Sequence, residues 1–364
     1  MSSRTVFIRP VILKRFSERN DAHVRSYLSS GSGPGRRQVG ARGAPAAQAR
    51  SRAGPPHGRA CGICHTDALT VEGGFPGLEY PRVPGHEVVG RIAAVGGQVA
   101  ARWKVGQRVG VGFLSGRCGE CESCRRGDFV NCSSQPITGI HFDGGYAEAM
   151  LADQHGLVAI PEEFGSVDAA PLLCAGVTTF NALRKSPARQ GELVAIQGVG
   201  GLGHLGIQFA RHMGYRTVAI ARGAGKEAMA RELGAHHYID SEAQAPAKAL
   251  QALGGASVIV ATAASPASMG PLLGGLKSQG RLVIVGAGAE PLQVPVTELL
   301  FGERSISGSN TGAPVEIEDM LNFSLPRDIR ARLETLPLER AAEGYAKMMR
   351  NEARFRMVLT TGVK

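Results

Sequence analysis

Four cysteines fall within fifteen residues: Cys118, Cys121, Cys124 and Cys132, spaced C-x2-C-x2-C-x7-C in the fragment GRCGECESCRRGDFVNC. A two-residue gap lets neighbouring thiolates converge on one ion, and four sulfurs complete the tetrahedron that zinc accepts. A site closed in this way supports structure and leaves no position for activating water. Four unliganded thiols would leave reactive groups in a glycine-rich stretch with little core of its own. A nucleic-acid zinc finger would need a groove-entering helix, which the stretch lacks. A second group lies upstream: Cys61, Cys64, His65, Thr66 and Asp67 in CGICHTD, followed twenty-two residues after Cys64 by His86 and Glu87 in PGHEVVG. Taken alone, either fragment fits packing as readily as metal binding.

A third group is the turn Gly198, Gly200, Gly203, which spells G-x-G-x-x-G with Gly201 inside it. The apolar run Leu193–Gln197 precedes it. A helical pattern follows, with Leu202, Leu205, Phe209 and Met213 on one side and Gly214 placed to stop it. A second strand-like run starts at Thr217. In that context the glycines let the backbone close on a dinucleotide pyrophosphate, whose charge meets the helix N-terminus. The plainer alternative is a glycine-rich turn in an unrelated α/β domain. Where an acid would read the ribose of NAD, the chain has AIARGAGK instead. Arg222, 19 residues after Gly203, and Lys226 could hold the 2′-phosphate of NADP. NADP(H) is therefore expected over NAD(H), against the alternative that both are solvated loop charges.

These groups need elements to hold them. Val88–Val95 and Arg108–Val111 read as short strands of an irregular β domain. Beyond about residue 175, strand-like runs alternate with helical patterns: Leu193–Gln197, Thr217–Ala221, His236–Asp240, Val258–Ala261 and Arg281–Val285. Such alternation predicts a parallel, doubly wound sheet. A chain of 364 residues exceeds what one core usually supports, so two domains are expected. No apolar run reaches the roughly 20 residues that span a bilayer, and no secretory pattern is visible. The chain reads as soluble and cytoplasmic, where its seven cysteines serve metal or catalysis more readily than disulfides.

The net charge of +10 raises the question of a nucleic-acid or membrane partner. Residues 1–60 hold 12 Lys and Arg against Glu18 and Asp21, which is the whole excess; residues 61–364 balance 29 basic against 29 acidic side chains. No basic face on the folded body follows, so neither partner is expected. Residues 30–60, with Arg36, Arg37, Arg42, Arg50, Arg52 and Arg59 among Gly, Ala and Pro, show no strand pattern. A disordered basic arm, an Arg-rich targeting segment and an out-of-frame stretch of a GC-rich gene are the competing accounts. On each of them residues 1–60 are an atypical segment, disordered or abnormal, and not the ordinary start of the fold.

Jointly, the motifs from residue 61 to 364 resemble the zinc-dependent medium-chain alcohol dehydrogenase family, in its yeast-like and bacterial branch with the cinnamyl-alcohol-dehydrogenase-like members. The resemblance implies an α/β fold: a GroES-like β catalytic domain at 61–174, a Rossmann doubly wound domain at 175–308, and a return to the catalytic domain over 309–364. It implies a catalytic zinc on Cys64, His86 and the Cys174 of APLLCAGVTTF, with a fourth position open for water or substrate. With the four-cysteine lobe that makes two zinc ions per chain. Asp67 would orient His86 from behind, and Glu87 would stand by as an alternative ligand. Thr66 would take the substrate hydroxyl's hydrogen bond. His65 and Thr178 would join the glycines at the cofactor, and Phe75, Phe113 and Leu114 would line the substrate pocket. Many relatives have a histidine three residues after the threonine to relay the proton; this chain has Leu69. Cys61 is expected to be a small buried hydrophobe. The implied activity is hydride transfer between a primary alcohol, aliphatic or aromatic, and NAD(P) in a homo-oligomer, a dimer or tetramer. Two alternatives stand beside it: a metal-free quinone or enone reductase on the same fold, and a zinc-containing nucleic-acid-binding protein.

Overall fold

Runs rich in Val and Ile become strands where glycine-bearing turns bracket them. In the computed structural model, which describes residues 5–9 and 59–361, they gather into two sheets. The first is laid down by β1 (Thr5–Arg9), β2 (Arg59–Ile63), β3 (Val88–Val95), β4 (Arg108–Val111), β5 (Met150–Asp153) and β6 (Leu157–Ala159). The chain then builds the second sheet from β7 (Leu193–Gln197), β8 (Arg216–Ala221), β9 (His237–Asp240), β10 (Ala256–Ala261), β11 (Leu276–Ile284) and β12 (Ser305–Gly308). It returns to the first with β13 (Leu333–Pro337) and β14 (Arg356–Thr361), and β14 lies antiparallel against β2.

The second sheet runs β12-β11-β10-β7-β8-β9, and every neighbouring pair is parallel. Its strands β7 and β10 are buried at every position, as expected of a parallel sheet covered on both faces. The order reverses between β7 and β10, which opens the crevice where doubly wound sheets bind ligands. Five of the six strands overlap the runs read from the sequence: β7 matches, β8 begins one residue early at Arg216, β9 one late at His237, β10 two early at Ala256 and β11 five early at Leu276, while β12 has no counterpart in that reading.

Three helices fix the junction of the two sheets: α1 (Ala175–Arg184), α2 (Gly203–His212) and α3 (Pro314–Ser324). Phe180 of α1 meets Phe209 of α2 and Phe323 of α3, each at 5.4 Å between ring centroids. Leu205 and Phe209 are fully buried, Leu202 and Met213 cap the two ends of α2, and Gly214 turns the chain out with φ +87°. Cys174 directly precedes α1 and the glycine-rich turn directly precedes α2, so one aromatic cluster anchors both.

The expected treatment of residues 1–60 needs correcting at its two ends. Thr5–Arg9 is a strand inside the first sheet, antiparallel to both β3 and β5, and Ile8 is fully buried. Four β-forming residues among basic neighbours are too short a run to stand out in sequence. Pairing on both edges supplies what local propensity does not, and burying Ile8 contributes about 1.5–3 kcal/mol. Likewise β2 begins at Arg59 rather than Cys61, because β14 and β3 pair with it. The rest of that basic segment, residues 1–4 and 10–58, lies outside the described residues. Among the described residues no helix is long and apolar enough to cross a membrane.

Candidate active site

Cys64 follows the last residue of β2 and opens a tight turn, His65–Asp67, that folds the Asp67 carboxylate back on it. Asp67 Oδ2 accepts the Cys64 backbone N–H at 2.9 Å and the Tyr146 hydroxyl at 2.8 Å, while Oδ1 lies 2.8 Å from His86 Nδ1. Three donors satisfy this buried carboxylate. Its bond to Nδ1 orients the ring so that Nε2 faces inward, where Nε2 is buried with no hydrogen-bond partner.

Cys174 stands between the turn Ala170–Leu173 and α1, with its sulfur 3.9 Å from that of Cys64. Ligand atoms of Cys64, His86, Glu87 and Cys174 all lie within 4.8 Å of one another. Zinc–sulfur bonds of about 2.3 Å in a tetrahedron put two sulfurs about 3.8 Å apart, so the spacing fits that ion. The hydrogen bond from Cys174, with His86 and Arg356 nearby, draws the Cys64 thiol well below its ordinary range in spite of burial. Burial opposes charge on His86, but Asp67 and the Cys64 sulfur outweigh it and hold the imidazole well above its usual value. A bound cation would take the place of that proton on Nε2.

Glu87 pairs through Oε1 with Arg356 Nη2, and both side chains are buried. Burial pushes Glu87 up to about 7 despite the guanidinium, and its Oε2 has no partner. Gly62 leaves room for it, since a Cβ there would fall 1.8 Å from Glu87 Oε2. Arg356 also reaches the glycine-rich turn, where a Cβ on Gly201 would meet its Nη1 at 3.3 Å. Sequence reasoning passed over Arg356 and Tyr146. The visible signal for Arg356 was a charged residue opening the apolar strand RMVLTT.

The glycines of the turn have separate reasons. Gly198 takes φ +92°, a Cβ on Gly203 would stand 1.7 Å from the Gly198 carbonyl, and Gly200 borders open space. Arg222 is exposed just past β8. Lys226 is half-buried, and its ammonium donates to the Val199 carbonyl at 3.0 Å, so it already has a partner. Burial, with Arg354 and Arg222 nearby, lowers its pKa. His65 is exposed, Thr66 and Leu69 are half-buried, and Thr178 is buried in α1. The Phe113 ring stands edge-on to His86 at 5.3 Å, and Phe75 meets His141 at 5.6 Å. Leu114 is buried, and its backbone bridges to Ile137. Cys61 is buried and belongs to neither metal-binding group.

In the lobe, the ligand atoms of Cys118, Cys121, Cys124 and Cys132 also gather within 4.8 Å. Cys118 lies 3.5 Å from Cys132 and 3.9 Å from Cys124, sulfur to sulfur, again near the edge of a zinc tetrahedron. Backbone N–H groups point at the sulfurs: Cys121 and Cys124 donate to Cys118 and Cys121, each at 3.4 Å. The amides of Ser133 and Cys124 draw the Cys121 thiol down to about 6, which favours the thiolate a metal needs.

Comparison with known proteins identifies the two domains and their relatives. Residues 57–162 match the alcohol dehydrogenase GroES-like domain, and residues 201–325 match the zinc-binding dehydrogenase domain. Alcohol dehydrogenase notN of an Aspergillus species is 43% identical over 301 residues, 83% of this chain and 88% of its own length. Alcohol dehydrogenase patD of Penicillium expansum is 44% identical over 302 residues, with the same coverage of 83% and 88%. The solved structure of a cinnamyl alcohol dehydrogenase from Sorghum bicolor superposes with a TM-score of 0.76 at 31% identity, over 85% of this chain and 90% of that one.

Proposed function

The chain belongs to the zinc-dependent medium-chain alcohol dehydrogenase family, and from that premise we propose that it moves hydride between a primary alcohol, aliphatic or aromatic, and a nicotinamide dinucleotide. The carrying observation is the convergence of Cys64, His86 and Cys174 around a buried His86 Nε2 that has no partner. Zinc would supply a Lewis acid that acidifies an alcohol or polarises a carbonyl, and the nicotinamide would supply the hydride carrier.

The chain's own residues do the rest. Cys64, His86 and Cys174 hold the catalytic ion, Glu87 serves as alternative ligand, and Asp67 keeps His86 in the ligating tautomer. Cys118, Cys121, Cys124 and Cys132 hold a second, structural zinc. Thr66 would accept the hydrogen bond of the substrate hydroxyl and begin proton release by passing on its own proton, and Leu69, where many relatives have a histidine, offers no side-chain relay, so that release would run by another route or be slower. Phe75, Phe113 and Leu114 form the apolar wall. His65, Thr178, Gly198, Gly200, Gly201 and Gly203 cradle the dinucleotide, and Arg222 favours NADP(H). Lys226 joins Arg222 only by giving up the Val199 carbonyl. Domains at 59–174, with Thr5–Arg9 as a strand of the same sheet, 175–308 and 309–364, in a cytoplasmic dimer or tetramer, complete the proposal.

The test is metal analysis beside NADPH-dependent reduction of an aldehyde panel. Wild type should carry two zinc ions per chain, and Cys174→Ser should keep one and lose turnover. Full turnover by that variant with a single metal would overturn the assignment and favour the metal-free reductase.

A further inference from the structure

His204, the second residue of α2, is fully buried although histidine is polar. Its two ring nitrogens are spent in opposite directions. Nδ1 lies 2.8 Å from the Gly200 carbonyl, one turn back in the glycine-rich loop. Nε2 accepts the backbone N–H of Arg332 at 3.1 Å, from the far end of the chain. One nitrogen must donate and the other accept, so the ring is the neutral tautomer with its proton on Nδ1. Burial agrees, pushing the imidazole down to about 4. The ring also lies against Phe355, at 5.2 Å and 32°.

Each end of this bridge leads to a functional element. A trans peptide points its C=O and the following N–H in opposite directions. The Gly200 carbonyl also accepts the backbone N–H of His204 at 3.1 Å, so the imidazole is its second donor; held by both, the carbonyl turns the Gly201 N–H away, and among the described residues no acceptor takes that N–H. It is free to meet a phosphate oxygen, as N–H groups at a helix entrance do. At the other end, the Arg332 carbonyl accepts the backbone N–H groups of Phe355 at 2.9 Å and Arg356 at 3.0 Å. Arg356 in turn holds Glu87 beside the metal ligands.

We propose that His204 is a positioning residue that orients the Gly200–Gly201 peptide toward the dinucleotide phosphates and ties it to the strand carrying Arg356. The role rests on the dinucleotide reading of the turn given above. It explains why a donor–acceptor ring, and not an apolar side chain, occupies a site without solvent.

The experiment titrates NADPH and NADH into wild type, His204→Phe and His204→Gln by calorimetry, with zinc content and melting temperature measured on each. His204→Phe keeps the ring and loses both hydrogen bonds, whereas His204→Gln keeps a donor and an acceptor. The phenylalanine variant should bind dinucleotide about tenfold or more weakly at a temperature where it is folded, since both partners lose a bond inside the protein. Its KM for dinucleotide should rise by more than its kcat falls, and its zinc content should stay at the wild-type level. His204→Gln should recover affinity to within about threefold, less than one ordinary hydrogen bond. Should the phenylalanine variant fail to fold, the glutamine variant decides: a tenfold loss there overturns the proposal. Unchanged affinity in a folded His204→Phe also overturns it and leaves the dinucleotide site standing. Failure of wild type to bind either nucleotide would remove that site and this role together.

Discussion

Replacing Arg356 with methionine tests how the metal centre and the glycine-rich turn are held together. The pair with Glu87 has side-chain exposures of 5% and 0%, so solvent screens it little. Arg356→Met leaves Glu87 Oε1 as bare as Oε2 already is. Removing one partner of a buried ion pair costs about 3–5 kcal/mol. Unfolding entropy near 2.1 cal/mol/K per residue gives about 0.6 kcal/mol/K for roughly 300 residues, so melting should fall by about 5–8 °C. The pH dependence has a definite sign. Burial holds Glu87 at about 7, above its ordinary 4.5, and loss of the cation raises it further. An acid whose folded pKa is raised weakens the fold as pH rises from 4.5 through the folded value, so the variant should lose more at pH 8 than at pH 5. Glu87→Gln combined with Arg356→Met should recover much of the loss, and the four proteins form a double-mutant cycle read by thermal unfolding of the metal-free proteins, where no cation beside Glu87 competes with Arg356. If Arg356→Met alone costs under about 1 kcal/mol and the two changes simply add, the pair does not hold this junction.

Three further outcomes are expected. Gly203→Ala places a Cβ 1.7 Å from a backbone carbonyl that cannot step aside, so it should lower melting and abolish dinucleotide binding; wild-type affinity would show that the α2 entrance can shift. Arg222→Asp should weaken NADPH more than NADH, since it exchanges a phosphate partner for a repulsive charge, and equal weakening in calorimetry would remove Arg222 as the reader of the 2′-phosphate. His204 has a folded pKa of about 4 against 6.5 for the free side chain. The stability it contributes is complete above 6.5 and is lost progressively as pH falls from there to about 4, on the order of 3 kcal/mol in all. His204→Gln should flatten that part of the stability–pH curve in urea unfolding, and an unchanged slope would show that the ring titrates freely.

The four-cysteine lobe and the glycine-rich turn were legible along the chain because each is short-range, whereas Cys64, His86 and Cys174, up to 110 residues apart, were joined only through the family resemblance. A C-x2-C spacing brings sulfurs together through local geometry, and Gly198 to Gly203 form one turn between a strand and a helix, so residue order alone points to their chemistry. The alternation of Leu193–Gln197 and its successors with helical patterns likewise made the parallel sheet readable, since both periods belong to single elements. Tertiary structure decided whatever depends on meetings between distant segments. Arg356 reaches Glu87 across 269 residues and Arg332 reaches His204 across 128, and neither contact leaves a periodic trace. Tyr146 acquires a role only because Asp67 folds back beneath Cys64. Lys226 looked like a free cation until packing put the Val199 carbonyl within its reach. Thr5–Arg9 shows the same division: its β-formers permit a strand, but only neighbours on both edges and a buried Ile8 make it one. A chain states what each residue can bond to, and the fold determines which buried partners are there to be bonded.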